Sequence, residues 1–372
     1  MSSKICHALY EGWGVLLCPH KYAKKKILHI DVEIRRQITY SMIDNYNREI
    51  NYLRVSITDR CNLRCSYCMP KEGVSLIGHD NILRYEEILR IVRIAAGIGV
   101  SKVRITGGEP LVRRGACDFI ASLSSTKGLN DISLTTNGIL LAAFAAKLFA
   151  AGVKRINISL DSLNAEKYAQ ITRGGELSAV LAGIDEVHRL GFSPIKINIV
   201  AMKGFNEDEI IDFAELSLRK PYQIRFIELM DVGRPALDHS SRYLSNTVVR
   251  ELISRHYLLE RANGIRTKMD GPAEMYRIAG GAGEIGFISP LSQQFCDSCN
   301  RLRLTANGHL RVCLLSDEDV DLRDPLRSGC SDADLSELIK RAIAKKPIQH
   351  ALACDEGHHI KKCMKDMSYI GG

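Results

Sequence analysis

The chain has 372 residues, 45% of them hydrophobic and 25% charged, with a formal net charge of +8. That length suits one large α/β domain with a smaller one beside it, and the composition excludes a collagenous, disordered or low-complexity chain. No apolar run approaches the roughly 18 residues of a membrane-spanning helix, and Trp13–Cys18 is too short and wrongly flanked for a signal peptide.

The expected location is therefore the cytoplasm, with no membrane partner. Residues 1–41 contribute +4 of the charge, seven Lys/Arg against three Asp/Glu. The rest is mildly basic and lacks a dense Lys/Arg stripe with interleaved aromatics. A small anionic substrate is expected, and no nucleic acid.

From residue 52 to 228 short β-rich runs alternate with helical patterns. The expected strands are Tyr52–Ile57, Lys102–Thr106, Asp131–Thr135, Arg155–Leu160, Ile195–Ala201 and Gln223–Glu228. Between them lie apolar-periodic stretches such as Tyr85–Ala96, Leu140–Ala150, Ser178–Leu190 and Glu207–Leu218. The last opens on Asn206 and Glu209, a capping-box-like start. Such repetition predicts an α/β fold with a parallel sheet and right-handed crossovers. Six units are too few for a closed eight-stranded barrel, so a partial (β/α)6, TIM-like barrel is expected. Its functional groups should gather at the C-terminal ends of the strands. After about residue 229 the rhythm breaks into an expected helix at Thr247–His256, hairpin-like pieces and a helical tail. The expected division is 1–41 as an extension, 42–230 as the barrel, and 231–372 as a domain closing the barrel mouth.

Twelve cysteines are many for a cytoplasmic chain, where disulfides are rare. Three of them, Cys61-Asn-Leu-Arg-Cys65-Ser-Tyr-Cys68, follow the first strand directly. Three thiolates at this spacing bind three irons of a [4Fe–4S] cube and leave the fourth iron open. Arg60 and Arg64 beside them should favour the thiolate form. Structural zinc wants a fourth ligand, and no nearby His or Cys offers one. The open iron suits S-adenosylmethionine (SAM), which binds through its amino and carboxylate groups and is cleaved to a 5′-deoxyadenosyl radical by one electron. A second set, Cys296, Cys299 and Cys313, also lacks an obvious fourth ligand. This favours a second [4Fe–4S] cluster over a zinc knuckle. Cys6, Cys18, Cys117, Cys330, Cys354 and Cys363 are scattered, and buried small hydrophobes are the expected reading.

Cys-x₃-Cys-x₂-Cys with an aromatic before the last cysteine resembles the radical SAM superfamily signature. Gly107-Gly108-Glu109-Pro110, directly after a strand, agrees with it. The resemblance implies SAM contacts at Tyr67, Gly108, Ser159 and Met230, with the glycines permitting close backbone approach. More specifically, the chain from Met42 onward is similar to the GTP 3′,8-cyclase family of molybdenum-cofactor biosynthesis. The likeness runs through Thr58–Cys65, Arg104–Pro110, Leu134–Gly138, Arg225–Gly233, Cys299–Thr305 and the terminal Gly371-Gly372. It implies that the radical takes the ribose 3′ hydrogen of GTP, that the carbon radical attacks C8 of guanine, and that reduction yields 3′,8-cyclo-7,8-dihydro-GTP. The second cluster holds the guanine.

GTP contacts are implied at Arg54, Arg104, Thr135, Lys196, Arg301, Leu302 and Arg303, and a catalytic tail at Gly371 and Gly372. Guanidinium forks and an ammonium suit a triphosphate and a purine edge. The family further implies a homodimer, an electron donor, and a downstream cyclic pyranopterin monophosphate synthase. Residues 1–41 have no counterpart in the pattern; Met42 as the start, or a poorly ordered extension, is expected. Two other readings stand beside this one. A radical SAM peptide maturase would usually carry more C-terminal cysteines. A zinc-stabilised nucleic-acid-binding protein would need the basic stripe that is lacking.

Overall fold

A computed structural model describes residues 42–233, 238–262, 271–350 and 363–371. Residues 1–41, with Cys6 and Cys18, lie outside the described residues, as do Cys354 and Gly372.

The expected six units are present. Strands β1 (Tyr52–Ser56), β2 (Lys102–Thr106), β3 (Asp131–Thr136), β4 (Arg155–Ser159), β5 (Ile195–Ala201) and β6 (Tyr222–Glu228) alternate with helices. Their period-2 pattern decides which face looks where. Leu53, Val55, Val103, Ile105, Ile156, Ile158, Ile197, Ile199, Ile224 and Phe226 are buried in one apolar core. Arg54, Arg104, Asn198 and Arg225 point to the opposite face and line a cavity. A closed barrel fills its interior with branched apolar residues; this one keeps a polar interior. The helices supply the other half of the core at helical spacing, as Ile88, Ile91, Val92 and Ala95 do from Tyr85–Gly97.

The sheet does not stop at six strands. It continues into β7 (Leu259–Arg261), β8 (Glu274–Ile278), β9 (Glu284–Ile288), β10 (Arg301–Leu304), β11 (His309–Arg311) and β12 (Val320–Asp321). The twelve strands run in the order β12-β11-β10-β1-β2-β3-β4-β5-β6-β9-β8-β7. β10 joins β1 in parallel and β9 joins β6 in parallel, so both edges of the repeat unit are extended by later chain. Antiparallel β11–β12 and β8–β7 finish the two ends. The sheet is a partial, TIM-like barrel and is not closed. Among the described residues no helix is long and apolar enough to cross a membrane.

The capping box expected at Asn206 and Glu209 does not form. Asn206 accepts from the Met202 amide at 2.8 Å and donates to the carbonyls of Asp161 and Val200. Glu209 accepts from Ser162 and from the amides of Leu163 and Asn164. Both side chains are nearly buried. Neighbouring loops with unsatisfied amides outcompete the local cap, and the two residues pin the loop that follows β4 instead.

Candidate active site

The polar face of the sheet encloses a cavity of about 330 Å³. At the C-terminal end of β1, Cys61, Cys65 and Cys68 line it, together with Tyr67 and Gly108. Arg60 and Arg64 do not favour the thiolates: both are exposed. Burial raises the pKa of Cys61, Cys65 and Cys68; the charge of Glu109 adds to it at Cys61, and neighbouring cysteines with Asp161 add to it at Cys65 and Cys68. Tyr67 donates to Asp161 at 2.7 Å, and Asp161 also accepts from the Val200 amide at 2.8 Å. Burial pushes Asp161 up to about 6. The glycines of the second motif have a reason beyond ligand approach. A Cβ on Gly107 would meet the Thr58 carbonyl oxygen at 2.7 Å, and one on Gly108 the Arg60 carbonyl oxygen at 2.3 Å. Only glycine lets this turn lie against the cysteine loop.

Cys296, Cys299 and Cys313 line the same cavity. Register places them: Tyr52 pairs with Arg301 and Arg54 with Arg303. Cys299 therefore precedes the paired stretch and Cys61 follows it, so the two thiol sets stand at opposite ends of the β1/β10 pair. The strand-end rule holds for the first set and fails for the second, because β10 enters parallel to β1 from below. Burial opposes ionisation of Cys299, but the charges of Arg301 and Lys346 and hydrogen bonds from Arg301 hold it down at about 6.

Each donor set suits an iron–sulfur cluster. Among the described residues no three His, Cys, Asp or Glu side chains converge on a point where one metal ion would sit. A cube instead takes one thiolate at each of three separated irons.

Between the two sets lie the cations. Arg54, Arg104, Arg225, Arg301 and Arg303 line the cavity, with Thr135, Ser159 and Met230. Burial and neighbouring guanidiniums together lower Arg54 to about 10 and Arg225 to about 9. Among the described residues no carboxylate pairs with Arg104, Arg225 or Arg303. The hydroxyl of Thr135 and the Oδ1 of Asn198 are buried without a hydrogen-bond partner. Clustered positive charge and unsatisfied polar atoms around one cavity describe the site of a large polar anion.

Lys196 lies 4% exposed on the same sheet and does not line the cavity. Burial and the charges of Arg225, Arg155, Arg104 and Lys102 bring its ammonium down to about 5, from 10.5. Between pH 5 and 10.5 the unfolded chain then holds a proton that the folded chain lacks, so stability rises with pH across that window. Lys196→Met is expected to raise the thermal midpoint of the ligand-free protein by about 2–4 °C at pH 7 and to flatten its pH dependence. Thermal unfolding followed at pH 6 and pH 9 checks this; an unchanged pH slope refutes it.

The Radical SAM superfamily description matches residues 55–217, and that of Molybdenum Cofactor Synthesis C matches residues 222–352. The GTP 3′,8-cyclase of Moorella thermoacetica is 48% identical over 331 residues, 89% of this chain and 100% of the relative. That of Thermodesulfovibrio yellowstonii is 48% identical over 332 residues, with the same coverage. The chain belongs to the GTP 3′,8-cyclase family. Among solved structures, Streptococcus suis SuiB bound to S-adenosylmethionine matches with a TM-score of 0.53 at 15% identity, over 89% of this chain and 87% of that one. At that identity the likeness speaks for the fold.

Most residues singled out by the family resemblance meet at the cavity wall. Leu302 does not: it is fully buried in the apolar core. Gly371 packs against Ser56 and Thr106, and its carbonyl accepts from Arg303 at 2.8 Å. Cys363 is buried, while Cys117 and Cys330 are half-buried against the core. Sequence reading passed over Tyr52, Asp161, Asn198 and Arg225, all of which line the cavity. For Arg225 a signal existed, since alternation along β6 between Ile224 and Phe226 turns it inward.

Proposed function

We propose that this chain cyclises GTP to 3′,8-cyclo-7,8-dihydro-GTP by radical SAM chemistry, the first step of molybdenum-cofactor biosynthesis. The observation that carries the reading is one cavity with a thiol trio at each end and a cluster of guanidiniums between. A [4Fe–4S] cluster on Cys61, Cys65 and Cys68, with SAM on its open iron, supplies the 5′-deoxyadenosyl radical.

The chain's own residues do the rest. Tyr67, Gly108, Ser159 and Met230 hold SAM, with Asp161 orienting the Tyr67 ring. Arg54, Arg104, Arg301 and Arg303 bind the triphosphate and purine edge, and Thr135 adds a free hydroxyl. Lys196, beneath them, regains its proton when an anion enters. Cys296, Cys299 and Cys313 would hold a second iron–sulfur cluster, which would supply an iron able to take a guanine nitrogen or oxygen. Gly371 and Gly372 bring the tail to the reacting centre through Arg303. Residues 231–372 complete the cavity wall. A cytoplasmic homodimer, an external electron donor and a cyclic pyranopterin monophosphate synthase downstream complete the proposal.

The test is anaerobic. Protein reconstituted with iron and sulfide is incubated with SAM, dithionite and GTP, and the nucleotides are followed by mass spectrometry. A GTP isomer formed together with 5′-deoxyadenosine is expected. Formation of 5′-deoxyadenosine with GTP unchanged would replace the substrate, and a peptide would be tried next.

A further inference from the structure

The geometry points to the segment Lys346–His350 as a strap that holds the second cysteine set in place, with Lys346 and Arg48 as its positioning residues. This rests on the reading that Cys296, Cys299 and Cys313 hold an iron–sulfur cluster. None of the strap's groups has a role in the reaction proposed above.

Lys346 follows the helix Asp332–Ala344 and is 3% exposed. Its Nζ donates to the Arg301 carbonyl at 3.0 Å and to the Val312 carbonyl at 2.5 Å. Arg301 stands two residues after Cys299, and Val312 immediately precedes Cys313. One ammonium thus ties together the backbones that carry two of the three thiols. Arg48, 6% exposed, serves the third. Its Nη1 donates to the carbonyls of Cys296 at 2.9 Å and Ile348 at 3.1 Å, and its Nη2 to Pro347 at 2.7 Å. Asp44 fixes that guanidinium, accepting from Nε at 2.6 Å. His350 ends the strap: its amide donates to the Cys296 sulfur, and its Nε2 lies 3.1 Å from the Pro290 carbonyl oxygen.

Four of the five residues, Lys346, Pro347, Ile348 and His350, therefore tie the segment to the surroundings of the three thiols. Neither Lys346 nor Arg48 lines the cavity. Burying an ammonium against carbonyls alone is costly. Burial lowers the Lys346 pKa, and the neighbouring sulfurs of Cys299 and Cys313 oppose that lowering and favour the ammonium. A reduced cluster carries one more negative charge than an oxidised one, so a fixed cation beside it raises its reduction potential. Arg48 is paired with Asp44 at 2.6 Å, so its charge should act on the cluster more weakly than that of Lys346. The two pins thus separate retention of the cluster from its potential.

The experiment uses the full chain with Cys61, Cys65 and Cys68 all replaced by alanine, so that only the second set can hold iron. In that background, Lys346→Met, Lys346→Arg and Arg48→Met are reconstituted anaerobically. Iron and sulfide per chain, the rate of iron loss to a chelator, and the midpoint of the reduced cluster's paramagnetic signal are measured. Both methionine variants are expected to lose iron about tenfold faster than their parent. Lys346→Met should also titrate at a lower potential, and Lys346→Arg should restore it, while Arg48→Met leaves it near the parent value. Should Lys346→Met not fold, Lys346→Gln takes its place with the same readouts. A parent that holds no iron–sulfur cluster overturns the cluster reading and the strap with it. A parent that holds one, with iron loss and potential unmoved by the Lys346 variants, overturns the strap alone.

Discussion

Cys65→Ala is expected to abolish 5′-deoxyadenosine formation, a fall of more than about a thousandfold. Outer-shell groups around a metal centre are worth about 10–100-fold, and a ligand itself exceeds them. Cys65 is the middle member of three thiols on one loop, and burial raises its pKa, as do the charges of Cys68 and Cys61. The thiolate is stable there only with iron bound. Without it a second iron is left unliganded, the cube is lost, and SAM has no electron source. Iron per chain should fall by about four atoms, leaving the second set loaded. Cys313→Ala should do the reverse: SAM cleavage persists and GTP is no longer converted. Measuring iron, 5′-deoxyadenosine and the GTP isomer on both variants separates the two ends of the cavity. Wild-type 5′-deoxyadenosine from the Cys65→Ala protein would remove the first set from the mechanism.

Gly371→Ala should cost at least about 100-fold in GTP cyclisation while both cysteine sets keep their iron. Gly371 has φ +83, where an L side chain is strained by about 1–2 kcal/mol. Its Cβ would lie 2.7 Å from Ser56 Cβ and 2.9 Å from Thr106 Oγ1. Those two residues end β1 and β2, and a strand hydrogen-bonded on both sides does not give way. The tail is expelled instead. Arg303 then loses its acceptor, the Gly371 carbonyl at 2.8 Å, and stays buried with the charge of Arg54 beside it. Together these exceed the roughly 2.7 kcal/mol that a hundredfold loss represents. Uncoupled SAM cleavage should survive, since the first thiol set does not touch the tail. Normal cyclisation by Gly371→Ala, or by a chain lacking both glycines, would show the tail to be an ordinary terminus.

What could be read from the sequence was local. Cys61, Cys65 and Cys68 share one loop, so their spacing alone dictates how many irons they can reach. The six strands showed as period-2 runs, because Val, Ile and Leu on the helix-facing side alternate with polar residues on the other. Gly107 and Gly108 stood out as a turn, although their contact with the 58–60 backbone did not. Local reading erred wherever a distant segment competed for the same atoms. Asn206 and Glu209 were drawn from their cap by the loop after β4, and Arg60 and Arg64 turned to solvent rather than to the thiols.

The sequence by itself determined the two cysteine sets, the repeated strand–helix units and the family to which the chain belongs. Only the tertiary structure decided how the two sets face one cavity. That depends on β10, four residues long, lying parallel to β1 from some 250 residues away. No local pattern encodes such a pairing; its hydrogen bonds are the same for any short strand, and burial of Leu302 and Leu304 selects the partner. The same pairing sets Arg303 beside Arg54; on β5, burial and then the charges of four neighbouring cations lower the Lys196 pKa to about 5.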